Sequence, residues 1–181
     1  AEYMLVQLET PLETVQKAVD ICAEFDTRVI LNPAPAAALP DEIISKVDII
    51  TPNESEAERL TGIVVKGESG AGKVAKKLHE RGIKTVIITL GSEGAFLSDQ
   101  ITGVVKMVPG FQVEAVDTTA AGDVFNGQLA VALAEGLSLE DAIRLAHAGA
   151  ALSVQKLGAQ SSIPRREETD YFLEEVLKQQ A

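Results

Sequence analysis

Residues 117–123 read Asp-Thr-Thr-Ala-Ala-Gly-Asp, two carboxylates enclosing two hydroxyls and three of the smallest side chains. The apolar run Val113–Val116 before them predicts a strand, and the residues after Gly122 predict a helix. Small residues at 120–122 leave room for backbone N–H groups to approach an anion at a helix N-terminus. Asp123 falls in the first helical turn, where the helix dipole favours a carboxylate. There it can take a proton from a hydroxyl while neighbouring N–H groups hold a phosphoryl group in transit. Phosphoryl transfer asks mainly for such positioning and charge stabilisation. A capped helix with an Asp in its first turn accounts for the same residues without any chemistry, so the heptapeptide alone leaves both readings open.

A second stretch competes for the phosphate. Residues 67–74, Gly-Glu-Ser-Gly-Ala-Gly-Lys-Val, differ from a P-loop at one position. A P-loop needs a buried strand leading in, glycines that let the backbone wrap a phosphate, and a Ser or Thr hydroxyl after the Lys for Mg²⁺. Val74 has no oxygen. The lead-in Ile63–Lys66 is short and follows Thr61-Gly62, which reads as a helix stop. An amphipathic helix over about 69–81 fits better, capped by Ser69 and stopped by Gly82. Its apolar face is Ala71, Val74, Ala75 and Leu78, and Lys73, Lys76, Lys77 and Glu80 face outward.

The elements that must position these residues alternate. Tyr3–Leu8 reads as a buried strand, and Pro11 opens a helix with Leu12, Val15, Val19, Cys22 and Phe25 near one face. Arg28–Leu31 is the next strand, ended by Asn32-Pro33-Ala34-Pro35. A short helix over 41–47 and a strand over 48–51 follow, the latter broken by Pro52. Asn53 or Ser55 caps a helix that runs to Gly62. Thr85–Thr89 is as apolar as a central parallel strand. Residues 95–97 and 104–108 read as hairpin strands, and helices cover about 121–135, 139–156 and 165–178. Strand–helix alternation predicts an α/β protein with a mostly parallel sheet, and 181 residues suit one domain over 1–181.

Bulk properties exclude several classes. A formal charge of −11 argues against binding nucleic acid or an anionic membrane. One cysteine, Cys22, permits no internal disulfide. No apolar run has the length of a membrane span. These features predict a soluble, cytoplasmic protein. The chain opens without Met and runs directly into a strand, which reads as a cut from something longer.

Residues 117–127, Asp-Thr-Thr-Ala-Ala-Gly-Asp-Val-Phe-Asn-Gly, resemble the C-terminal signature of the ribokinase (PfkB-type) sugar kinase family. In the same order stand Leu31-Asn-Pro-Ala-Pro-Ala36, Thr51-Pro-Asn-Glu-Ser-Glu-Ala-Glu-Arg-Leu-Thr-Gly62 and Ile88-Thr-Leu-Gly-Ser-Glu-Gly94, and the tail Ala146–Pro164 also fits. The resemblance implies a three-layer αβα sandwich, incomplete at its N-terminal side, and ATP-dependent phosphorylation of D-ribose to ribose 5-phosphate. A non-catalytic nucleotide-binding fragment, or a kinase for another sugar or nucleoside, stays open beside it.

Roles follow from the resemblance position by position. Asp123 matches the base that deprotonates the sugar hydroxyl, and Ala120, Ala121 and Gly122 match the anion hole. Asn53 and Glu56 match an Asn-x-x-Glu element that organises Mg²⁺, largely through water. Their ordinary role would be a helix cap and a first-turn acid. Thr89, Gly91, Ser92, Gly94 and His147 match the nucleotide site. A monovalent cation, K⁺, is implied near Asp117 and Thr119, with Ser153, Lys156, Gly158 and Ser162. Glu9 matches a carboxylate near the sugar. Gln128 stands where the signature has Ala or Gly, a longer side chain that must strain the packing or find a partner, and Val124 replaces a frequent Thr. Family members carry an N-terminal segment with a lid that holds most sugar contacts and forms the homodimer. That segment is absent from these 181 residues.

Overall fold

The computed structural model describes residues 1–180 and divides them into two compact units. The first comprises residues 1–90 and 95–107, and the second residues 91–94 and the described chain from Val108 onward.

The first unit is built on a sheet in the order β1 (Tyr3–Val6), β2 (Arg28–Leu31), β3 (Ile49–Ile50), β4 (Thr85–Thr89), β5 (Gly94–Asp99) and β6 (Val105–Pro109). β1 to β4 pair in parallel, and β5 runs antiparallel to β4 with Ile87 opposite Leu97. Between the parallel strands run α1 (Leu12–Glu24), α2 (Asp41–Ile44), α3 (Glu54–Thr61) and α4 (Gly67–Glu80). Parallel neighbours in sequential order wind one way, so right-handed crossovers leave their helices on one face. Val29, Leu31, Ile50, Val86, Ile88 and Phe96 accordingly share a core with Val15, Val19, Ile43, Ala57, Val74 and Leu78. The alternate residues Ile30, Ile49, Ile87 and Leu97 are buried as well. Burial on both faces explains why these strands read as continuous apolar runs. The α/β class and the mostly parallel sheet expected from the alternation are both present. No described helix is long and apolar enough to cross a membrane.

The P-loop-like stretch is helical. Gly67 to Val74 all lie within α4, and the Gly70 N–H is already engaged by the Lys66 carbonyl at 3.3 Å. Gly70 serves close packing, since a Cβ there would stand 3.2 Å from the backbone of Val64 and Val65. The helix begins two residues before the expected Ser69 cap, because Gly67 turns the chain at φ +59° and Lys66 occupies the N-cap without a side-chain bond. Ala71, Val74, Ala75 and Leu78 form the buried face as expected.

The second unit holds a short turn at Gly91–Glu93 and the helices α5 (Ala121–Ala134), α6 (Leu139–Ser153) and α7 (Arg166–Gln180). Ser138 caps α6 by accepting the Asp141 N–H, and α5 packs on α6. Arg166 reaches Glu135 at 2.7 Å and Asp170 at 2.8 Å, and Phe111 meets Phe172 edge to face at 5.2 Å. Val113–Val116 form no strand. The Val116 and Asp117 N–H groups instead donate to the Val154 carbonyl at 2.7 and 3.0 Å. An apolar run becomes a strand only where a neighbouring edge offers donors and acceptors, and here the acceptor is the end of a helix. α6 stops at Ser153 rather than 156 because Val154 leads into this turn.

Gly94 and Gly110 let two backbones cross at close range. A Cβ on Gly94, whose φ is +110°, would lie 2.1 Å from the Val108 carbonyl oxygen and 2.5 Å from the Gly110 nitrogen. Gly91, at φ +57°, has nothing within 4 Å of the same position. Gly94→Ala is therefore expected to cost about 3 kcal/mol or more and Gly91→Ala about 1 kcal/mol. Urea unfolding of the two variants measures the difference directly.

Candidate functional site

The candidate residues fall into two sets, one in each unit. In the first unit they gather at the carboxyl ends of the parallel strands, the end at which open α/β sheets bind ligands. Asn32 follows β2, is buried, and joins its neighbours: its Nδ2 donates to the Thr51 carbonyl at 3.1 Å, and its Oδ1 accepts from Gln7 Nε2 at 2.9 Å. Glu9 is exposed just beyond β1, where the Leu8 N–H donates to the Ala34 carbonyl at 2.8 Å. Asn53 and Thr89 form an isolated parallel bridge, and the Thr89 N–H donates to the Pro52 carbonyl at 2.9 Å.

Asn53 is the cap of α3, and it closes a capping box with Glu56. The Asn53 Oδ1 accepts the Glu56 N–H at 2.9 Å, while the Glu56 carboxylate accepts both the Asn53 N–H and its Nδ2, each at 2.9 Å. Glu56 is only 7% exposed. Burial pushes its carboxyl up from the ordinary value, and the two donors from Asn53 pull it back in part. Both carboxylate oxygens thus already hold a proton donor, which suits contact with a cation through water rather than direct ligation. No cluster of three or more His, Cys, Asp or Glu side chains able to hold a metal occurs among the described residues.

In the second unit the loop before α5 is tied down by one carboxylate. Asp117 Oδ1 accepts the Thr119 N–H at 2.9 Å and Oδ2 the Gly158 N–H at 2.9 Å. The Thr119 hydroxyl first, then these N–H groups, hold its pKa down at about 2. These two bonds bring Asp117, Thr119 and Gly158 together. Ser153 and Ser162 are buried nearby in sequence, their hydroxyls donating to Ala150 and Ala159 carbonyls at 2.8 and 2.9 Å. The Lys156 N–H donates to the Ser153 carbonyl at 3.1 Å, and its side chain turns to Glu168 at 3.5 Å.

The N-terminus of α5 carries no capping side chain. Its N-cap, Ala120, stands in the left-handed region at φ +60° and ψ +11°. The first-turn N–H groups of a helix have no partner four residues back; here the N-cap makes no side-chain capping bond, and the Ala121 N–H donates to the Thr118 carbonyl at 3.3 Å. Asp123 is exposed in that first turn, next to Gly122. The buried Asn126 adds a feature that sequence reading missed: its Nδ2 donates to the Gly122 carbonyl at 2.8 Å and braces the turn. Its place four residues after Gly122 was the available signal. Gly91 and Ser92 are exposed, and the Ser92 carbonyl accepts from Gln112 Nε2 at 3.0 Å. His147 is 7% exposed and meets the Phe125 ring at a tilt of 57°, with centroids 4.9 Å apart. Its Nε2 is buried and has no hydrogen-bond partner among the described residues. Burial draws its pKa down to about 4.

Comparison with known proteins follows the same lines. The model of the pfkB family carbohydrate kinases matches residues 1–166. A ribokinase of Haemophilus influenzae is 53% identical over 174 residues, which are 96% of this chain and 56% of that protein. A ribokinase structure from Thermotoga maritima superposes with a TM-score of 0.85 at 44% identity, covering 96% of this chain and 57% of that one. The Arabidopsis thaliana ribokinase, solved in complex with ribose and ATP, gives a TM-score of 0.91 at 34% identity over 96% of this chain and 56% of that one. The mostly parallel sheet with its helices is thus the ribokinase-like α/β fold, and the chain spans just over half the length of these relatives.

The buried imidazole of His147 makes stability depend on pH. In the unfolded chain its pKa is about 6.5, and in the fold about 4. Between those values the unfolded chain binds a proton that the folded chain does not, so stability is complete above about pH 6.5 and falls as pH drops toward 4. Unfolding free energy at pH 5 should lie about 2 kcal/mol below that at pH 7, and His147→Phe should remove that share of the slope. Urea titrations at the two pH values test this.

Proposed function

The chain belongs to the pfkB family of carbohydrate kinases, and from that premise we propose that it serves the ATP-dependent phosphorylation of D-ribose to ribose 5-phosphate. The observation that carries the reading is the N-terminus of α5. Its first turn lacks a capping side chain, its entry is fixed by the Asp117 contacts, and Asp123 stands exposed in it. The Asp123 carboxylate takes the proton of the sugar's primary hydroxyl as that oxygen forms its bond to the γ-phosphorus of ATP. The bond from phosphorus to the β,γ-bridging oxygen breaks, and ADP leaves with those electrons. Backbone N–H groups of residues 120–122 stabilise the charge on the moving phosphoryl group.

The donor chemistry fits the ions this reaction uses. Mg²⁺ keeps several waters and needs few protein ligands, and Asn53 and Glu56 present oxygens already ordered by their capping box. It would neutralise phosphate charge when bound. The loops around Asp117 and Gly158 offer one carboxylate, held ionised by the Thr119 and Gly158 donors. One negative charge with neutral oxygens suits a monovalent cation such as K⁺, with Thr119, Ser153, Lys156, Gly158 and Ser162 lending carbonyl or hydroxyl oxygens. Thr89, Gly91, Ser92, Gly94 and His147 are assigned to the nucleotide and Glu9 to the sugar. The Arabidopsis relative, solved with ribose and ATP, supports the choice of these two substrates.

The protein isolated from its source is expected to release ADP only when D-ribose, Mg²⁺ and K⁺ are all present. Asp123→Asn should lower kcat by roughly 10²- to 10⁴-fold while leaving ATP affinity close to normal. ADP release indifferent to ribose, or turnover that survives Asp123→Asn, would overturn the reading. Asp117→Asn should raise the K⁺ concentration needed for half-maximal rate, measured in the same assay at fixed ionic strength.

A further inference from the structure

One polar side chain outside these assignments lies in a space shaped for it. Gln128 is on α5 and Gly149 on α6. A Cβ on Gly149 would stand 2.9 Å from the Gln128 Cγ and 3.2 Å from its Cδ and Nε2. Gly149 is buried, and it is not among the glycines with positive φ. Backbone freedom therefore does not explain this glycine. A helix-interior glycine is destabilising relative to alanine, and what the position gains is room. Gly149 is a socket, and Gln128 fills it.

The socket adjoins a residue assigned above. Phe125, one turn before Gln128, meets His147, two residues before Gly149, at a centroid separation of 4.9 Å and 57° between ring planes. The same pair of helices carries both the wedge and the imidazole. Close-packed interiors have few voids to absorb a change of volume, so a shift at one contact moves the next.

We propose that Gln128 is a positioning residue: seated over Gly149, it sets the spacing of α5 and α6 and thereby the place of the His147 ring in the nucleotide site. The consequence for nucleotide rests on the function proposed above, whereas the packing relation does not.

The chain has two histidines. His79 belongs to the other unit, where its ring bonds the Ile83 carbonyl and the Ser98 hydroxyl, each at 2.8 Å. It is an internal control for NMR of the imidazole ¹⁵N and ¹³Cε1 signals. Gln128→Ala and Gly149→Ala should each move the His147 signals and leave those of His79 in place. In the double variant the new methyl group enters the emptied socket, and the His147 signals should return toward their original positions. Calorimetric titration with Mg·ATP should follow the same order, Kd rising about fivefold in each single variant and recovering in the double. Gln128→Ala only removes atoms and carries the test alone if Gly149→Ala does not fold. Unmoved His147 signals in Gln128→Ala overturn the proposal. Moved signals with unchanged Kd overturn the positioning role. A wild-type chain that binds no Mg·ATP refutes the nucleotide assignment instead, and the His147 signals still decide the wedge.

Discussion

The second unit turns on the Asp117 carboxylate. One oxygen holds the N–H of Thr119, two residues on, and the other the N–H of Gly158, 41 residues away. The first bond folds the chain toward α5, and the second fastens it to the loop beyond α6. Hydrogen bonds to an ionised acceptor are among the stronger ones, and several N–H donors on one carboxylate keep it charged. The Val154 carbonyl, taking both the Val116 and Asp117 N–H groups, anchors the approach from the other side. With these contacts made, the backbone of residues 118–122 has little choice about how it enters the helix, and Asp123 is presented from a fixed turn rather than a loose one. Acid weakens this arrangement only as pH falls from about 4 toward about 2, the interval over which Asp117 takes up a proton less readily in the fold than in the open chain.

The first unit uses different physics for a similar end. Parallel strands buried on both faces leave their carboxyl ends as the place where polar groups can gather. Asn32 is buried there and satisfied by Gln7 and Thr51. Asn53 and Glu56 satisfy each other within one helical turn. The buried amide of Asn32 and carboxylate of Glu56 thus have their polar atoms partnered, as buried polar groups must.

Much of this was legible in the sequence. The strands at 28–31 and 85–89 are apolar runs bounded by Pro or Gly, and Asn53 with Glu56 three residues later is the pattern of a capping box. Gly62 ends α3 in the left-handed conformation its type suggests. Val113–Val116 misled because composition states that residues are apolar, not that a strand edge lies beside them. Ser69 misled because the glycine before it can start a helix by conformation rather than by a cap. Gln128 was visible as a long side chain among small ones, with strain or a partner as its alternatives. Gly149 stands 21 residues later and could not be paired with it by local reasoning. His147 lies among the small apolar residues of α6, and its burial follows from them. The division into two units depends on where contacts are dense, which no short motif records.

Ala120 closes the account of α5 with a cost. A residue with a Cβ at φ +60° lies about 1–2 kcal/mol above its ordinary conformations. Glycine would adopt that turn without strain, and many others as well. Alanine therefore narrows the search that the open chain must make and gives up stability in the closed form. Its neighbours hold it there: the Val124 N–H bonds its carbonyl at 2.9 Å, and Asn126 braces Gly122 at 2.8 Å. The turn into α5 is thus set before anything arrives. In the proposed role, an arriving anion would have little backbone freedom left to freeze, and more of its attraction to the N–H groups would survive as affinity.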